Sequence, residues 1–234
     1  MNSRRYVSIL GDSVSTFSGY NPPGFSVYYS EEIQKKNGIA GVSGTWWYKV
    51  LEAMNAQLAV NNSYSGSRVS GDVFPAANTE ERLRLLRTET VVPQLVLIYI
   101  GGNDFGYNVP LESGRRLHRD ASFFGDAYDM MLRRIHKLYP QTEIICATGM
   151  RTYIHNKQEW QFPEFLHGVP KEAYNDQIRK CCRRHKVHLA DLSRTYIRYE
   201  TLDGSHPTAM GHYQIATAWI SELARNGWLV TGIL

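Results

Sequence analysis

Tyr6-Val7-Ser8-Ile9-Leu10-Gly11-Asp12-Ser13 is the stretch whose reading decides the fold. A short aliphatic run that breaks at a glycine and turns polar reads as a buried strand ending in a loop. Four further apolar runs recur at Gln57–Asn61, Leu95–Ile100, Glu143–Thr148 and Val187–Asp191. None alternates strictly between apolar and polar, which is the pattern of parallel strands covered on both faces. Helical segments lie between them. Trp46, Val50, Leu51 and Met54 share one face of residues 45–56, and Asn78-Thr79-Glu80-Glu81 has the form of a capping box opening a helix through Arg87. Residues 121–138 and 171–185 are the longest helical segments, and Pro207 is placed to open a last helix that runs through Arg225. This alternation predicts a doubly wound α/β domain of three αβα layers. No repeat, low-complexity tract or linker interrupts it, so residues 1–234 read as one domain.

Composition narrows the function. A chain that is 43% hydrophobic and 21% charged, with net charge +4, has the make-up of a soluble globule. Its basic residues gather at Arg82, Arg84 and Arg87, at Arg115, Arg116 and Arg119, and at Arg179, Lys180, Arg183 and Arg184. Each group falls on an expected helix or its flank and reads as a solvated face. No recognition motif accompanies them, which argues against nucleic acid as a partner. Cys146, Cys181 and Cys182, odd in number with one adjacent pair, form no disulfide framework and suit a reducing compartment. The run Tyr6–Leu10 is too short for a signal-peptide core, and no stretch approaches a membrane span. A cytoplasmic location is expected if the sequence starts at its natural start.

The residues just beyond each strand carry the chemistry. Strand one leads to Gly11-Asp12-Ser13, strand two to Ser63-Tyr64-Ser65-Gly66, and strand three to Gly101-Gly102-Asn103-Asp104. The segment beyond strand five leads to Asp203-Gly204-Ser205-His206. In an open parallel sheet these ends share one rim, where ligands bind at the point of strand-order reversal. Acyl transfer needs a nucleophile, a base, a group that orients the base, and donors for an oxyanion. Ser13, His206 and Asp203 supply the first three in turn. The backbone N–H groups of Ser13 and Gly66 and the side-chain amide of Asn103 are the candidate oxyanion donors. Asp12 and Asp104 read as residues that fix loops around the site rather than as direct catalysts.

These blocks, in this order and spacing, resemble the SGNH (GDSL) hydrolases, whose Ser, Gly, Asn and His blocks fall on Ser13, Gly66, Asn103 and His206. The resemblance covers nearly the whole chain from Tyr6 to the last helix. It implies a flavodoxin-like sheet of five parallel strands ordered 2-1-3-4-5, and ester hydrolysis that needs neither metal nor cofactor. One departure is Ser63, at a position where the family usually carries glycine, which bears on the local turn.

Competing signals are weaker. Cys181-Cys182-Arg183-Arg184-His185-Lys186-Val187-His188 suggests a metal cluster, but adjacent cysteines diverge by about 100° on a helix. His118, His136, His155, His167 and His212 lack ligand spacing, and no P-loop, dinucleotide fingerprint, HExxH or G-x-S-x-G elbow occurs. A flavodoxin-like binding module could use the hydroxyl-rich loop Ser13–Ser18, but it has no need of Asp203 and His206. A pseudo-enzyme would be expected to lack an essential block. Two long aromatic-rich connections, 13–44 and 150–170, are either lids and binding loops or packed surface elaborations. A short-acyl carbohydrate ester is the expected small-molecule substrate, with a lysophospholipid, a thioester or acyl transfer as alternatives on the same site.

Overall fold

The three central apolar runs form strands because neither of their faces meets water. Val7, Ile9 and Leu10 in the first and Leu95 to Ile98 in the third are fully buried. The computed structural model describes residues 4–114 and 119–229; Arg115, Arg116 and His118, with the first three residues, lie outside them. The strands are β1 (Tyr6–Gly11), β2 (Gln57–Ser63), β3 (Leu95–Tyr99), β4 (Glu143–Ala147), β5 (Arg151–Ile154), β6 (Phe165–Leu166), β7 (Val169–Pro170), β8 (His188–Ala190) and β9 (Arg198–Thr201). The helices are α1 (Glu31–Lys36), α2 (Trp46–Ala53), α3 (Glu80–Arg84), α4 (Gly102–Gly106), α5 (Phe124–Leu138), α6 (Lys171–His185) and α7 (Ala209–Arg225).

The five expected runs make one parallel sheet in the order β2-β1-β3-β4-β8, so the fifth run is β8 and the expected strand order holds. Because successive residues of a strand point to opposite faces, each strand feeds two cores. Val7, Ile9 and Leu97 pack with Trp46 and Val50 of α2 and with Ile215 and Trp219 of α7. Leu10, Val96 and Ile98 pack with Met131 and Ile135 of α5 and with Ile178 and Cys182 of α6. On the first face the Trp46 and Trp219 rings stack 5.4 Å apart and 8° from parallel. Gly11 lies level with Ser63 on one side and Tyr99 on the other, which aligns the carboxyl ends of β1, β2 and β3 along one rim.

Several local expectations fail for identifiable reasons. The capping box does not form, because the Thr79 hydroxyl donates to the Ala76 carbonyl at 2.8 Å and the Asn78 amide donates to Val69 and Gly71 carbonyls. Helix α3 stops at Arg84 rather than Arg87. Arg82 is no solvated residue: it is fully buried, and its guanidinium donates to the carbonyls of Gly11, Asn62 and Pro75 and to Asn62 Oδ1. A buried guanidinium is tolerated when its N–H groups are met by acceptors, and here those acceptors tie β1 to β2 at the rim. Arg179 is likewise buried, paired with Asp191 at 2.8 and 2.9 Å and with Glu172 and Asp176. Arg84, by contrast, is exposed and pairs with Glu80.

The 150–170 connection is not a plain loop. It supplies β5, which pairs in parallel with β9, and the small β6–β7 hairpin. The 13–44 connection carries the short helix α1. No helix among the described residues is long and apolar enough to cross a membrane.

Candidate active site

Ser13 follows β1 on a tight turn that local bonding creates. Asp12 Oδ1 accepts the Val14 N–H at 3.1 Å, and the Ser15 N–H reaches the Asp12 carbonyl at the same distance. The turn folds back so closely that a Cβ on Gly11 would lie 2.6 Å from Ser15 Oγ and 2.8 Å from Ser63 Oγ. Only glycine fits there, and Ser63 is one of the groups that makes the fit so tight. Ser63 itself settles into the core by donating its hydroxyl to Asn61 Oδ1 at 2.6 Å.

Asp203 and His206 arrive by an additional element. They come after β9, which lies outside the main sheet, on a turn closed by a bridge between Thr201 and Pro207. Asp203 Oδ1 accepts the N–H groups of Ser205 at 2.9 Å and His206 at 2.8 Å, leaving its other oxygen for the imidazole. His206 Nδ1 lies 2.7 Å from Asp203 Oδ2, and His206 Nε2 lies 3.0 Å from Ser13 Oγ. Partial burial raises the Asp203 carboxyl. The imidazole of His206 and the two amides more than offset this and hold it well below the usual carboxylate range. A carboxylate that stays ionised at Nδ1 favours the tautomer whose Nε2 can accept a proton from Ser13.

Asn103 sits in the short helix α4 and donates one amide hydrogen to the Ser67 carbonyl at 2.8 Å, which leaves its second hydrogen uncommitted. Gly66 adopts φ +77°, a left-handed conformation that favours glycine. The N–H groups of Ser13 and Gly66 have no protein acceptor among the described residues. Asp104, fully buried, accepts the N–H groups of Val69 at 2.8 Å and Ser70 at 3.0 Å, and so pins the segment after Gly66 to α4. Ser13, Asn103 and His206 line one cleft of about 150 Å³, together with Asp12, Gly102 and Gly204. Gly66 is not among the residues lining that cleft.

A second chamber of about 70 Å³ lies beside this cleft and shares Asp12, Val14, Gly102, Phe105, Lys171 and Tyr199 with it. Its walls include the rings of Tyr99, Phe124 and Tyr174. Lys171 lies where the two spaces meet; its Nζ donates to the Met150 carbonyl at 2.5 Å and sits 5.7 Å from the Phe162 ring centre. Burial lowers its ammonium to about 8. Two residues at this site carry no signal in the sequence. Lys171 merely opens a helix, and Tyr28 meets Asp203 across 175 positions with no motif around it. The residues of the cysteine-rich stretch are accounted for by packing: Cys181 and Cys182 are buried on the α5–α6 face, and burial pushes the Cys181 thiol up to about 12.

Burial also pushes the Asp12 carboxyl from 3.8 up to about 6, against the Val14 amide, His206 and Arg82. A raised folded-state value means that folding takes up a proton here. The stabilising contribution is therefore complete below pH 3.8 and is lost as pH rises through about 6. Asp12→Asn removes that dependence. Thermal unfolding midpoints should show the wild type losing ground to the variant across this window and running parallel to it below pH 3.8. A difference independent of pH would contradict the assignment.

A family model described as GDSL-like lipase/acylhydrolase matches residues 5–163. Among solved structures, a GDSL-like lipase assigned in Bacteroides ovatus is 26% identical, with TM-score 0.71, covering 96% of this chain and 100% of that one. A second, from Bacteroides uniformis, is 25% identical with the same TM-score, covering 96% and 97%. A family two carbohydrate esterase from Clostridium thermocellum, solved with cellohexaose, shares the fold at 18% identity and TM-score 0.57, covering 96% of this chain and 65% of that one. None of the curated proteins compared matches the chain.

Proposed function

We propose that this chain, which belongs to the GDSL-like lipase/acylhydrolase family and is an ester hydrolase, cleaves short-acyl esters of carbohydrate alcohols through an acyl-serine on Ser13. The observation that carries the reading is the continuous chain of contacts from Asp203 to His206 to Ser13, at 2.7 and 3.0 Å, opening into the cleft. Ser13 Oγ attacks the ester carbonyl carbon while His206 Nε2 takes its proton. The carbonyl electron pair moves onto oxygen, where the Ser13 N–H and the free Asn103 hydrogen receive it. The C–O bond to the alcohol then breaks, and His206 returns the proton to the leaving oxygen. Water repeats the sequence on the acyl-serine, with His206 again as base, and frees Ser13. Asp203 stabilises the imidazolium in both halves.

Acyl size is set by the space beside Ser13. The chamber of about 70 Å³ that adjoins the Ser13 cleft suits an acyl group of a few carbons, not an extended chain. The likeness to the carbohydrate esterase and the open, aromatic-edged cleft support a sugar as the alcohol. Two measurements check these points. 4-Nitrophenyl acetate should be turned over faster than the octanoate, and a clear preference for octanoate would replace this reading with a lipid-directed one. Asn103→Ala should lower kcat by roughly 10²–10³, the usual cost of one oxyanion donor. Full activity in that variant would remove Asn103 from the oxyanion site.

A further inference from the structure

Asp203 and His206 are exposed for a catalytic pair: their side chains retain 44% and 20% of their free surface. Water could compete for Asp203, and a ring on such a turn could swing away from Ser13. The 13–44 connection lies over this weak point. The Tyr28 ring stacks on the His206 ring with centres 3.5 Å apart and planes within 10°. Its hydroxyl donates to Asp203 Oδ2 at 3.1 Å, the same oxygen that meets His206 Nδ1. The Tyr28 N–H donates to Thr16 Oγ1 at 2.9 Å, and that hydroxyl donates to the Ser13 carbonyl at 2.9 Å. The next residue, Tyr29, is buried, packs edge-on against Tyr28, and donates its hydroxyl to the Pro207 carbonyl at 2.8 Å. Asn37 donates to the same carbonyl at 3.0 Å. One short segment thus grips the Ser13 turn on one side and the residues flanking the base on the other.

We infer that Tyr28 is a positioning residue of the hydrolytic site, coupling the Ser13 turn to the Asp203–His206 pair. This rests on the acyl-serine reading. The stack confines the imidazole to a plane in which Nε2 faces Ser13. The hydroxyl fills a lone-pair direction on Asp203 that water would otherwise occupy, and a hydrogen bond to a charged acceptor is among the stronger kinds. Burial and the Asp203 charge hold the phenol proton in place well beyond the ordinary range, so the bond persists at any working pH. The long first connection is then part of the catalytic framework rather than a lid that must open and shut.

The test compares Tyr28→Phe, which keeps the stack and loses the bond, with Tyr28→Leu, which loses both. With 4-nitrophenyl acetate, kcat should fall about tenfold in Tyr28→Phe and about a hundredfold in Tyr28→Leu, with KM unchanged in the former. The far-downfield proton resonance of His206 Nδ1–H should move in Tyr28→Phe, a change that loss of fold alone would not give while the unfolding midpoint stays put. An unchanged kcat and an unmoved resonance in Tyr28→Phe would overturn the inference. So would a change confined to KM, which would make Tyr28 a substrate contact. Wild-type turnover that survives Ser13→Ala would instead defeat the underlying acyl-serine reading. Ser13-dependent turnover indifferent to Tyr28 would defeat only this inference.

Discussion

Ser13→Ala should lower kcat/KM for 4-nitrophenyl acetate by on the order of 10⁴ or more, with the fold unchanged. On the proposed acyl-serine mechanism, Ser13 Oγ forms the bond which divides one difficult displacement into two easier ones. Its removal leaves the oxyanion donors with no nucleophile to serve. His206→Ala should cost a similar amount, and the double variant little more than either, because the two act as a unit. Losses that multiplied in the double variant would show two independent contributions. Stability should be nearly untouched, since the Ser13 hydroxyl bonds to no group but His206 among the described residues. Unfolding midpoints measured beside the rates separate lost chemistry from lost structure.

The second large effect is expected at Asp203. Asp203→Asn should reduce kcat by on the order of 10³–10⁴. The carboxylate has two tasks here: Oδ1 holds the turn through the Ser205 and His206 amides, and Oδ2 meets the imidazole. Asparagine can still accept the amides with its oxygen. It then presents N–H to Nδ1, which favours the tautomer with a proton on Nε2, facing Ser13. The turn survives while the base is disabled. Fluorophosphonate labelling of Ser13 should slow in this variant without being abolished. A loss of no more than a few-fold would mean that the imidazole is oriented chiefly by other contacts, with the Tyr28 stack the first to examine.

Much of this site is legible in the sequence because its parts lie at strand ends. Tyr6–Gly11 and Leu95–Tyr99 are almost wholly buried, so their sequence alone marks where each strand stops and which polar residues come next. Ser13 and Asn103 come within a few residues, and the level pairing of Gly11 with Tyr99 brings their turns together. Asp203 and His206 are legible as a pair but not in their setting. Strand β9, which delivers them, pairs with β5 outside the main sheet, and neither has the apolar run of a central strand.

The features hidden from sequence are governed by depth and by contacts far apart in the chain. Arg82 and Arg179 share the residue type of exposed Arg84, but carbonyls and carboxylates from distant segments make their burial possible. The capping-box pattern at Asn78-Thr79-Glu80-Glu81 loses to bonds that the same side chains make with nearby carbonyls, a competition to which short polar residues are prone. Tyr28 has no signal at all beyond being aromatic, since its value comes from a ring and a carboxylate near the other end of the chain.

The most direct test of Ser13 as an activated nucleophile is the intact mass of wild type and Ser13→Ala after exposure to a fluorophosphonate. One covalent adduct on the wild type and none on the variant is the expected result. No adduct on folded wild type, with a smaller phosphonate equally inert, or equal labelling of the variant, would contradict it.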